Sequence, residues 1–129
     1  MVLAWLVAGN PYTQLGTGNS DTSKLRCVAD DESGNITMET ATTAFDNSWH
    51  TVVLCYDGSI STIYAYVDGS LSTGTGTAIT LATASALVMG GRGSGTPTNK
   101  FTGSIEYVAV YDGYILDGTD ITNLGNYGA

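Results

Sequence analysis

Basic residues are scarce. The 129-residue chain has four Lys and Arg against twelve Asp and Glu, a formal net charge of −8. A surface so short of cations does not neutralise a phosphate backbone or an anionic lipid layer, so nucleic acid and membrane-surface partners are excluded. The acids are dispersed and not gathered into a tail, which fits a charge that keeps the fold in water. Long apolar runs are missing too. The opening run, residues 1–8, is too short to span a bilayer, and it lacks the basic flank and longer apolar centre of a signal peptide. It reads as a buried strand. There is a single histidine, and no spacing resembles a zinc site. The two cysteines, Cys27 and Cys55, fall in strand-like segments with another candidate strand between them. In meander order, two spacings of about 4.8 Å put them beyond disulfide reach, so free thiols are expected. The Lys-poor balance also excludes a helical bundle, whose faces need Ala, Leu, Glu and Lys.

Seventeen glycines and nineteen threonines point instead to many short strands joined by tight turns. Strands are expected at residues 2–8, 12–15, 24–29, 36–40, 49–56 and 62–67, from Leu71 onward, and at 87–90 and 101–111. A weak one is expected at 79–81. The stretch Asp30-Asp31-Glu32-Ser33-Gly34-Asn35 has a turn composition, which makes 24–29 and 36–40 a hairpin. Asp68-Gly69 is the strongest short hairpin signal in the chain. Trp49 is expected to be buried at the head of a central strand. Residues 117–126 are the only helix candidate, with Asp117 or Thr119 as cap and Ile121 with Leu124 as an apolar pair. This pattern predicts an all-β fold, a two-sheet antiparallel jelly-roll sandwich with one short C-terminal helix, formed as a single domain over residues 1–129.

The run Trp49-His50-Thr51-Val52-Val53-Leu54-Cys55-Tyr56-Asp57-Gly58, followed by Ile63-Tyr64-Ala65-Tyr66-Val67-Asp68-Gly69, resembles the laminin G-like, concanavalin A-like lectin/glucanase jelly rolls. Leu87-Val88-Met89-Gly90-Gly91-Arg92 and the segment 101–111 are similar to that family's closing strands. Leu116 and residues 121–124 match the short helix after them, and residues 3–7 match an early strand. The resemblance implies a further strand ahead of residues 2–8, for which this chain has no residues. That strand usually lies beside the closing one, so 101–111 is expected to have an open edge covered by a partner. The resemblance places Ile105, Val108 and Val110 in the core, whereas strict alternation from Ile105 puts Tyr107, Ala109 and Tyr111 on its side. A β-bulge near Glu106-Tyr107 is expected to reconcile the two.

Candidate chemistry is thin. His50 occupies a position to which the resemblance assigns a structural role, and no nucleophile or orienting partner marks it as a general base. The glucanases of this fold carry paired glutamates on one strand, whereas Glu32, Glu39 and Glu106 are isolated here, so no hydrolase is expected. Asp30, Asp31, Glu32 and Asn35 supply the hard oxygens calcium needs, but their spacing fits no loop motif, and no metal site is expected. Residues 90–95 lack the Lys-Ser/Thr ending and helix start of a phosphate loop. No cofactor is implied.

The aromatic residues say more. Alternation places Ile63, Ala65 and Val67 toward the core and Tyr64 and Tyr66 on the outer face, with Thr51, Val53 and Cys55 beside them. A pair of tyrosines at i, i+2 can stack a sugar or pack on a protein, unless loops fold over and bury it. Tyr12, Tyr114 and Tyr127 lie in turns or near the end and can add contacts. The expected ligand-binding residues are Tyr64, Tyr66 and Tyr114. The expected function is a non-catalytic binding or assembly module, a structural component of an extracellular or virion (phage-type) assembly. Its partners would be other proteins or further copies along an open sheet edge. A lectin-type carbohydrate-binding module is the alternative.

Overall fold

The period-two alternation becomes two antiparallel sheets in the structure, a computed structural model that describes residues 3–6, 12–18, 20–31, 34–80, 86–90, 100–111 and 113–126. The strands are β1 (Leu3–Leu6), β2 (Tyr12–Thr17), β3 (Lys24–Asp30), β4 (Asn35–Thr43), β5 (Val52–Asp57), β6 (Thr62–Val67), β7 (Ser70–Thr75) and β8 (Ala86–Met89), and the helix α1 (Gly118–Asn126) follows. One sheet has the order β4-β3-β2-β1-β8, and the other is the meander β5-β6-β7. Parts of several expected features lie outside the described residues: positions 2, 7 and 8 of the first strand, Leu81, most of the glycine-rich loop after Gly90, and Tyr127.

The core forms where the two sheets face each other. Leu25, Cys27 and Ala29 from β3 and Ile36 and Met38 from β4 meet Ile63, Ala65 and Val67 from β6, with Leu15 and Ile79 completing the cluster. Alternation on β6 therefore runs as the sequence indicates. The sheets approach closely at Gly74 of β7, where a Cβ would lie 2.8 Å from the Cβ of Met38. Only glycine allows that approach. Nearby, the Ala41 N–H donates to Ser72 Oγ at 3.0 Å and ties β4 to β7.

Local chemistry sets the turns. Asp68 (φ 51°) and Gly69 (φ 79°) both take positive φ between Val67 and Ser70, the two-residue geometry that matches strand twist. Asp117 Oδ1 accepts the N–H groups of Thr119 and Asp120 at 2.8 and 3.0 Å, while Asp120 Oδ2 accepts the Asp117 N–H at 3.0 Å. This reciprocal cap starts α1, and Ile121 is its buried anchor. Both cysteines are free, for a different reason from meander spacing. Cys27 lies on β3 and points into the core, whereas Cys55 lies on β5 in the other sheet.

Four expectations need correction. Residues 101–111 form no strand, and Ile105, Val108 and Val110 are exposed rather than in the core. Both phases of this segment are apolar, so neither alternation gives one face to bury and one to leave in water. The expected bulge at Glu106-Tyr107 is therefore absent. The ladder irregularity falls instead between Lys24 and Arg26, where β4 carries extra residues. There the Leu25 N–H is met by Thr40 Oγ1 at 3.2 Å. Trp49 is 66% exposed, and its strand begins only at Val52. Ile79 belongs to the core without belonging to a strand, and its carbonyl accepts the Tyr56 hydroxyl at 2.8 Å.

Candidate functional site

Register sets Val53 opposite Tyr66 and Cys55 opposite Tyr64 on the outer face of the β5-β6-β7 sheet. Tyr64 and Tyr66 share that face and are half-buried. Burial pushes the Cys55 thiol up, while the Leu116 backbone N–H at its sulfur works the other way. The segment leading into α1 thus covers part of this face. Burial also raises the Tyr66 hydroxyl, with Cys55 and Tyr64 adding to the effect. Tyr114 is exposed, and its hydroxyl donates to Asp120 Oδ2 at 2.7 Å. That bond holds Asp120 below the usual carboxylate range and raises Tyr114. Two of the three tyrosines read from the sequence share one face, and the third is engaged at the helix start.

His50 has both ring nitrogens occupied. Nδ1 lies 2.7 Å from Asp68 Oδ2, Nε2 lies 2.9 Å from Asp46 Oδ1, and the side chain is only 12% exposed. The hydrogen bond to Asp68, then that to Asp46, raises its pKa. With both nitrogens on carboxylates, neither is left to take a proton from a substrate. Asp68 Oδ1 also accepts the Thr51 N–H at 2.9 Å, and Asp46 Oδ1 accepts the Ser48 N–H at 2.9 Å. These bonds fix the loop before β5, with Asn47 at φ 71°, and turn Trp49 outward. The partners of His50 went unread because Asp68 lies 18 residues away. The Asp46-x-Ser48 turn was the local sign that the strand had not yet begun.

The acidic turn binds its own backbone. Asp31 Oδ1 accepts the Gly34 N–H at 2.9 Å and Oδ2 accepts the Thr80 N–H at 2.7 Å, so this carboxylate secures the loop after β7. Among the described residues, no group of three His, Cys, Asp or Glu could hold a metal. Glu32 lies outside the described residues. Glu39 belongs to edge strand β4, and Glu106 lines a groove with Met89 of the opposite edge strand, β8. Four strand spacings amount to roughly 19 Å, well beyond the roughly 5–9.5 Å that separates a glycosidase's carboxylates.

That groove exposes large apolar side chains. It is open, about 430 Å³ in volume, and lined by Met89, Ile105, Glu106, Tyr107, Val108 and Val110. Tyr107 is 74% exposed and Met89 57%. The segment is anchored at its start, where the Phe101 N–H donates to Gly90 O at 2.8 Å and the Phe101 ring packs against Phe45 at 6.4 Å. Beyond that point residues 102–111 are exposed and belong to no strand. Sequence reasoning missed the groove because it assigned Ile105, Val108 and Val110 to the core. The clash between the two apolar phases was the available signal.

A family model described as the Concanavalin A-like lectin/glucanases superfamily matches residues 4–122. The chain belongs to this superfamily. We found no match to it among curated proteins or among solved structures. Laminin G-like members of the superfamily are mostly non-catalytic binding modules, although glucanases share the fold. Among the described residues, no helix is long and apolar enough to cross a membrane.

Proposed function

We propose that this concanavalin A-like domain is a non-catalytic module that makes protein–protein contacts, as a structural component of an extracellular or virion assembly. The observation that carries this reading is the groove between Met89 and residues 105–110, which exposes large apolar side chains beside the end of a sheet edge. Contiguous exposed apolar surface of this kind marks interaction sites on soluble proteins. The occupied nitrogens of His50 and the separation of Glu39 from Glu106 support the absence of catalysis. A second reading, glycan binding, is favoured by one observation: Trp49 is held outward on a loop fixed by His50, beside the sheet that carries Tyr64 and Tyr66.

The test is binding of an apolar fluorescent dye by the folded protein at about micromolar concentration, compared with Tyr107→Asp. The expected result is a signal lost in the variant while the melting temperature is retained. An unchanged signal overturns the docking reading. A glycan-array hit abolished by Trp49→Ala would transfer the function to the second reading.

A further inference from the structure

Resting on the docking reading, the geometry points to a second copy of this chain as the occupant of the groove, paired along the edge of β8 by its own residues 104–111. Among the described residues, β8 ends its sheet, with β1 on one side and no strand on the other. Among the described residues no strand pairs with its far side, and an incoming extended segment can take that place. The same groove carries a candidate donor. Residues 104–111, Ser-Ile-Glu-Tyr-Val-Ala-Val-Tyr, are rich in β-branched and aromatic side chains and belong to no strand. Donor and acceptor lie side by side on one molecule. A twofold arrangement thus lets each copy give its segment and receive the other's, and the contact closes on itself without growing into a fibre.

Area and charge both favour this occupant. The exposed fractions of Met89, Ile105, Tyr107, Val108, Val110 and Tyr111 amount to roughly 700 Å² of residue surface, backbone and tyrosine hydroxyls included, against the roughly 800 Å² per partner of a standard interface. The chain carries a net charge of −8, yet residues 101–111, which directly follow Lys100, contain a single carboxylate, Glu106. Two copies that approach through this segment bring few carboxylates together. Neither apolar phase of 104–111 has a solvent side when the strand is enclosed by two copies. The phase conflict that keeps it unpaired in one chain is thereby removed.

The test uses single-cysteine additions to the whole chain. Cys27, whose thiol burial pushes up to about 12, and Cys55, also raised by burial, form a slow-reacting background. Met89→Cys is mixed with a mass-tagged Tyr107→Cys or Val110→Cys, so that any mixed disulfide must join two copies, and wild-type mass is followed by sedimentation equilibrium. The proposal expects a mass rising with concentration from 13.4 kDa to twice that value. It also expects a mixed disulfide several-fold more abundant than either like-with-like product in at least one pairing. A constant monomer mass up to about 100 μM overturns it, as does a dimer that gives no mixed disulfide. Maleimide labelling of Tyr107→Cys at about 1 μM separates the two failures. Fast labelling without dimers leaves the docking face standing and removes the second copy. Slow labelling in the monomer shows the face already covered and removes both.

Discussion

Replacing Gly74 with alanine tests how the two sheets are joined. The new methyl would lie 2.8 Å from Met38 Cβ, 3.2 Å from Cγ and 3.3 Å from Sδ. Carbon atoms prefer about 3.5–4.0 Å, and a Cβ fixed to backbone on each side cannot swing away, so β4 and β7 must part. Overpacking of this kind costs about 1–3 kcal/mol. The loss of unfolded-state freedom in a Gly→Ala change returns up to about 1 kcal/mol. A net destabilisation of about 1–2 kcal/mol is expected, which at ordinary urea sensitivities moves the unfolding midpoint down by about 0.5–1 M. Gly58→Ala is the control, because its methyl would meet nothing closer than 3.4 Å, at the Tyr56 ring. The same chemical change there should be neutral or slightly stabilising. Equal midpoints for the two variants would refute the close approach of β7 to β4.

Two further outcomes follow from the loop before β5. Trp49→Ala should cost less than about 1 kcal/mol in a urea melt, because the ring is 66% exposed; a loss of about 3 kcal/mol or more would mean that it fills a core site. The His50 clasp should vary with pH. Asp68 and Asp46 raise the folded pKa of His50, so its stabilisation is complete below the unfolded value of about 6.5 and is lost as pH rises through the raised folded value. The hydrogen bond from His50 lowers Asp46, so that carboxylate's share is present above about pH 4 and is lost as pH falls through its depressed folded value. Melting temperatures from pH 4 to 9 should show wild type gaining most over His50→Gln between about pH 4 and 6.5 and losing that margin above neutrality. A margin constant across the range would contradict the clasp.

What the sequence made legible was local. Asp68-Gly69 and the Asp117 cap act within a few residues, and both form as their side chains dictate. The burial of Ile63, Ala65 and Val67, and with it the outer placement of Tyr64 and Tyr66, follows from strict alternation on one short strand. The errors arose where a distant group decides the outcome. Trp49 turns outward because Asp46 and Asp68 hold His50 and Thr51, and Asp68 is brought there only by the β6–β7 hairpin. The β3–β4 ladder breaks where Thr40 offers its hydroxyl to Leu25 in place of a backbone carbonyl. Residues 104–111 have the composition of a strand, but composition does not state whether a neighbouring edge takes them up.

The most direct test of the central claim, that the face formed by Met89 and residues 105–111 is free for docking, is amide hydrogen exchange of residues 104–111 in the dilute monomer. These amides lie in no ladder, whereas those of β3 and β6 are paired on both sides. The account predicts exchange for 104–111 within about tenfold of unfolded-chain rates, while the amides of β3 and β6 exchange only through global unfolding. Protection of 104–111 equal to that of β3 in the monomer would contradict it, because the segment would then be a paired strand of the domain itself.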